Sequence, residues 1–116
     1  MVCSPQDKTI NYIEFQVSNI EQTKAFYADA FGWTFTDYGP AYCEFCDSHM
    51  TGGFEKGTPQ PGGPLIVLYG KELEEKLRAV QQAGGEITKE IFDFPGGKRF
   101  QFKDVNGYEL AVWCES

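Results

Sequence analysis

The stretch GTPQPGGP, residues 57–64, holds three prolines and three glycines in eight positions. Proline removes a backbone donor and glycine leaves the chain unrestrained, so no helix or sheet strand runs through it. The chain must therefore build its regular structure in two parts, one on each side. Before this linker, INYIEFQV (10–17) alternates and is rich in β-branched and aromatic residues. It predicts a strand with Tyr12, Glu14 and Gln16 on one face and Ile13 and Phe15 on the other. Asn19 and Gln22 open a helix on which Thr23, Phe26, Tyr27, Ala30 and Phe31 share a stripe, and Gly32 ends it. Short strands are expected over 33–36, 41–47 and 51–54.

After the linker the same order restarts. LIVLY (65–69) is strand-like, Leu73, Leu77 and Val80 mark a helix face, and Glu72/Lys76 and Glu74/Arg78 stand at i,i+4 spacing. Gly84-Gly85 closes that helix and strands follow. An offset of 53 residues carries Ile20 onto Leu73, Glu21 onto Glu74, Ala30 onto Ala83 and Gly32 onto Gly85. A duplicated βαβββ module of the α+β class accounts for this order. A ferredoxin-like duplication would also supply strands and two helices, but two or three strands between Gly32 and the linker favour βαβββ. The expected layout is one domain over 1–116, with module one at about 9–56, the linker at 57–64 and module two at about 65–114.

The aromatic fraction of 16% is enough to wall an apolar pocket as well as fill a core. A net charge of −7 repels nucleic-acid phosphates and anionic lipid, which excludes nucleic acid as the expected partner. No apolar run approaches the ~20 residues of a membrane span, and MVCSPQDK lacks the apolar stretch of a secretory signal. The expected location is cytoplasmic, with the four cysteines as free thiols.

VSNIEQTKAFYADAFGWTF (17–35), followed by FPGGKRFQFKDVNGYELAVW (94–113), resembles the vicinal oxygen chelate superfamily of glyoxalase I, bleomycin-resistance proteins and extradiol dioxygenases. The first stretch is similar to the helix-and-glycine signature of module one, the second to a terminal hairpin with an Asp-x-x-Gly turn. The resemblance implies that the modules form a curved, cup-like mixed sheet with helices on the outer face. It also implies metal ligands, in the metal enzymes, on the first and last strands of the modules. This chain places Tyr12, Leu65 and Ala111 at three of those positions. A phenol, an alkyl chain and a methyl group do not suit a divalent ion that takes imidazole or carboxylate ligands. The expectation is no metal and no other cofactor.

Alternation then selects the polar residues that face the cup. Glu14 sits mid-strand beside Tyr12; a carboxylate desolvated in an aromatic cup is a candidate general acid or base, whereas on an open sheet it is an ordinary surface residue. Glu109 falls on the same side as Ala111 and Trp113. In KRFQFKD, Phe100 and Phe102 point to the helices while Arg99, Gln101 and Lys103 face the other way. Laying Phe45 on Phe102 puts Glu44 in the place of Gln101. The predicted ligand-binding set is Tyr12, Glu14, Glu44, Gln101, Glu109 and Trp113, with Glu14 and Glu109 as the candidate catalytic residues.

Cys43, Cys46 and His49 form C-x-x-C-x-x-H, but a strand puts the two thiols on opposite faces and Cys3 or Cys114 would have to complete a zinc site. Gly62-Gly63 and Gly96-Gly97 open no helix, so neither cradles phosphate. Two function classes follow. One is a metal-free protein binding a small organic ligand in the cup. The other is a glyoxalase-type lyase or isomerase working by proton transfer from Glu14 or Glu109, with Tyr12 or Gln101 steadying an oxyanion. A two-fold homodimer is expected, with Trp33, Phe35, Phe92 and Phe94 as interface aromatics where the core does not absorb them.

Overall fold

A computed structural model describes residues 7–116; Cys3 lies outside them. Module one runs β1 (Tyr12–Val17), α1 (Ile20–Phe31), β2 (Thr34–Asp37), β3 (Tyr42–Cys46) and β4 (Thr51–Lys56). Module two repeats the order as β5 (Ile66–Tyr69), α2 (Leu73–Gln82), β6 (Glu86–Phe94), β7 (Gly97–Lys103) and β8 (Glu109–Glu115). Each module makes one four-stranded sheet, ordered β1-β4-β3-β2 and β5-β8-β7-β6. The first and last strands of a module pair in parallel and the others antiparallel. This is the duplicated α+β fold that the spacing predicts.

The punctuation residues act as expected at α1. The Asn19 side chain accepts from the Gln22 amide at 2.9 Å, and Gly32, at φ 74°, turns its own amide back to Ala28 O at 2.9 Å. At α2 the outcome differs. Glu72 precedes the helix at φ 57° and gives no side-chain cap, which takes it off the helix face. Lys76 instead donates to Lys71 O at 2.7 Å. Neither Glu72/Lys76 nor Glu74/Arg78 forms an ion pair among the described residues, where Lys24 pairs with Glu21 and Asp37.

Apolar packing runs through both modules. Phe26 and Phe31 of α1 approach Phe102 of β7 with ring centroids at 6.1 and 5.8 Å. Trp33 stacks between Tyr27 and Phe45, at 4.5 and 4.6 Å, and Phe35 packs on the same cluster. Trp33 and Phe35 are thus half-buried and pack against the core of module one. No helix among the described residues is long and apolar enough to cross a membrane.

A set of hydrogen bonds joins the two modules at the turn between β7 and β8. Asp104 Oδ1 accepts from the amides of Asn106 and Tyr108 at 2.8 and 3.0 Å, while Oδ2 accepts from the Tyr27 hydroxyl of α1 at 2.7 Å. Gly107, at φ 93°, supplies the left-handed step of the turn. Asn106 then donates to Thr23 Oγ1 at 3.0 Å and accepts from the Ser18 amide at 3.3 Å.

Burial raises the Asp104 pKa above its ordinary 3.8, although the Tyr27 hydroxyl and the turn amides pull the other way. An acid with a raised folded-state pKa binds its proton more tightly when folded. Its stabilising contribution is whole below pH 3.8 and is lost as pH rises through the raised value. Urea denaturation is expected to show Asp104→Asn gaining stability relative to the wild type from pH 4 upward, with the difference vanishing below it. Asp104→Ala, which strands three donors, should cost about 2–4 kcal/mol at neutral pH.

Candidate functional site

Strand register fixes which side chains share a face. Glu14, Gly53 and Glu44 form one cross-strand row in module one, and Val67, Ala111 and Gln101 form the matching row in module two. Glu44 thus has the place in its module that Gln101 has in the other. A cavity of about 1020 Å³ opens between the modules. Its walls include Tyr12, Glu14 and Gln16 of β1, residues 60–64 of the linker, and Gln101, Lys103 and Glu109 of module two. Four predicted residues, Tyr12, Glu14, Gln101 and Glu109, therefore meet at one cavity. Glu44 lies two strands in from Glu14, and Trp113 lies farther along β8 against Tyr69 and Phe94, so neither lines it.

On the module-one side, three groups make a chain. Tyr42 donates its hydroxyl proton to Glu14 Oε1 at 3.0 Å, and the Tyr12 hydroxyl lies 2.6 Å from that of Tyr42. With the Tyr42 proton committed to Glu14, Tyr12 donates to Tyr42. Burial foremost, then the hydrogen bonds with Tyr12 and Glu14, push the Tyr42 phenol well above an ordinary tyrosine, so it stays protonated and donating. Gly53 makes this possible, because a Cβ there would collide with the Tyr42 hydroxyl. Glu14 itself is exposed, not enclosed by aromatic rings as the sequence leads one to expect.

On the module-two side, Glu109 Oε2 accepts from Thr88 Oγ1 at 2.7 Å and Gln101 Nε2 at 3.0 Å. These hydrogen bonds lower the Glu109 pKa and keep it ionised, which makes it a weak proton acceptor. Gln101 is 5% exposed, and its carbonyl Oε1 has no hydrogen-bond partner. The unmet atom is an acceptor. With one N–H of its amide given to Glu109, Gln101 leaves this buried oxygen unmet at the cavity wall.

Sequence reasoning missed Tyr42, Tyr108 and the linker. Tyr42 shares the alternation face of Glu44, which was the available signal. The Tyr108 hydroxyl donates to Gln16 O at 2.7 Å and accepts from the Gln60 amide at 2.9 Å, pinning linker to β1. No periodic pattern marks that role.

The donor set does not fit a metal ion. Tyr12, Leu65 and Ala111 carry no imidazole or carboxylate, and the module-one counterpart of Ala111 is Gly53. Among the described residues no three His, Cys, Asp or Glu side chains are grouped to hold an ion. Cys43 is buried and three residues from Cys46 along β3, which turns the two thiols to opposite faces.

The fold has many solved counterparts. FosX, a fosfomycin resistance protein from Listeria monocytogenes, was solved as a mutant with Mn(II) and a dihydroxypropylphosphonic acid. It superposes with a TM-score of 0.82 at 15% identity, covering 96% of this chain and 93% of that one. FosX from Mesorhizobium loti gives 0.80 at 11% identity, covering 96% and 95%. A glyoxalase-related enzyme from Fulvimarina pelagi gives 0.79 at 16%, covering 91% and 87%. At such identities the likeness is one of fold. No curated protein matches the chain. A family profile matches residues 9–112, and the chain belongs to the Glyoxalase/Bleomycin resistance protein/Dioxygenase superfamily.

Proposed function

We propose that the protein binds a small organic molecule in the cavity between its modules and does so without a metal ion. One observation carries this: a cavity of about 1020 Å³ gathers Tyr12, Glu14, Gln101 and Glu109 among apolar walls. That combination of volume, apolar lining and few convergent polar groups is typical of ligand sites. The Mn(II) and phosphonate held by the Listeria FosX mutant do not carry over as a pair, because the donor set here lacks the imidazole and clustered carboxylates an ion takes. The proposed location is the cytoplasm, in keeping with the free thiols of Cys43, Cys46 and Cys114.

A homodimer belongs to the same proposal. β1 and β5 are sheet edges, and Leu65, just before β5, and Val67 and Tyr69 on it are 38, 43 and 50% exposed. An apolar stripe on an open edge favours cover by a second chain. Those three residues join Trp33, Phe35, Phe92 and Phe94 as proposed contacts.

The Tyr12–Tyr42–Glu14 chain favours a second reading, a glyoxalase-type lyase or isomerase. There the Glu14 carboxylate removes a proton next to a carbonyl, and Tyr12 gives up its bond to Tyr42 and turns its hydroxyl to the oxygen that gains charge. Glu109, already stabilised as an anion by Thr88 and Gln101, is a weak base.

Native mass spectrometry of the protein as purified tests the main proposal, with an organic adduct and no metal as the expected result. Stoichiometric zinc, nickel, manganese or iron would reject it. Sedimentation should give twice the 13.1 kDa chain mass, and a single-chain mass rules out the dimer. Turnover of hemithioacetals that Glu14→Gln abolishes would establish the enzyme reading, and undiminished activity in that variant would remove Glu14 as its base.

A further inference from the structure

The concave face of module two carries two polar atoms that its own chain leaves unmet, and their chemistry defines a ligand. Glu109 is held ionised and can only accept, so the amide nitrogen of Gln101 must turn to it. That orientation aims Gln101 Oε1 away from its one side-chain partner, buried and without a donor. Two residues back on the same face of β7, Arg99 Nε is likewise buried without an acceptor. The Arg99 guanidinium lies over the rings of Phe92 and Phe94, at 5.4 and 5.9 Å, which hold it in place without neutralising it. Arg99 as a whole is half-buried, but a buried polar atom without a hydrogen-bond partner is costly and is normally met by a ligand, water or another chain.

Register supplies the floor between the two atoms. Arg99 stands between Phe92 and Trp113, and Gln101 stands beside Ala111, whose methyl adds little bulk to that row.

We propose that Arg99 and Gln101 form a two-point clamp for a flat organic acid. Its carboxylate accepts from Arg99 Nε, its apolar body lies along Phe92 and Trp113, and an O–H or N–H at the far end donates to Gln101 Oε1. The Cα atoms of the two anchor residues are about 7 Å apart, the rise of two strand residues. This clamp rests on the proposed ligand-binding role of the cavity that Gln101 lines, and adds to it the ligand's polarity and length.

The test uses three probes of one shape in ligand-observed and protein-observed NMR titrations of the full chain. They are para-hydroxybenzoate with both anchors, benzoate without the donor, and para-hydroxybenzamide without the charge. Para-hydroxybenzoate should bind about tenfold more tightly than either of the others. Gln101→Leu should abolish its advantage over benzoate, and Arg99→Met its advantage over the benzamide. Because the probes alone vary the anchors in the wild type, a variant that fails to fold leaves the comparison intact. Equal binding of all three with shifts at Gln101 and Glu109 would overturn the clamp while leaving a ligand-binding cavity. No binding of any probe would overturn the clamp and leave the cavity to the mass-spectrometric test. If Arg99→Met instead weakens a dimer and no probe preference exists, the unmet atoms belong to a contact between copies and the clamp is rejected.

Discussion

Everything else in the molecule is arranged around the carboxylate of Asp104. One oxygen closes the turn that returns β7 to β8, and the other takes the Tyr27 hydroxyl from the opposite module. A local turn signal and a long-range link are thus the same side chain. Its burial is compatible with three donors, two of them turn amides that accompany it wherever the turn goes. With this point fixed, Asn106 meets Thr23, Tyr108 meets Gln16 and the linker, and the cavity has both its walls.

Much of the fold was legible because it follows local rules. GTPQPGGP could only separate two parts, Asn19 and Gly32 bound a helix from either end, and the 53-residue offset aligned the start of α1 with that of α2. The same offset fails farther on, since Glu44 corresponds to Gln101 at 57 residues and Gly53 to Ala111 at 58. The modules differ in the length of what joins their later strands, which no helix match can anticipate. Alternation also fails on β6, where irregularities between Ile87 and Lys89 and between Lys89 and Phe92 change the register. Thr88 reaches Glu109 from that strand, and its contact was invisible in the pattern.

The candidate site was legible in half. Period-two reading put Tyr12, Glu14, Gln101 and Glu109 on cup-facing sides, and they do meet at one cavity. It could not assign their chemistry. Glu14 and Glu109 look alike in sequence, yet one is an exposed carboxylate approached by a phenol and the other a fixed anion between Thr88 and Gln101. Such differences arise from partners 21 to 30 residues away and from which amide end a neighbour presents, neither of which a strand pattern encodes.

Gly53 bears on how this site can change over evolutionary time. Its missing side chain is the space in which the Tyr42 hydroxyl sits, so any larger residue there must first evict a phenol that is bonded to two others. Ala111, the corresponding residue of module two, carries a methyl group and is itself fully buried, so a longer side chain there must displace packed neighbours instead of a phenol. Matching positions in the two halves of a duplicated fold are thus closed in different ways, one by a hydroxyl lodged in a hollow and the other by close packing.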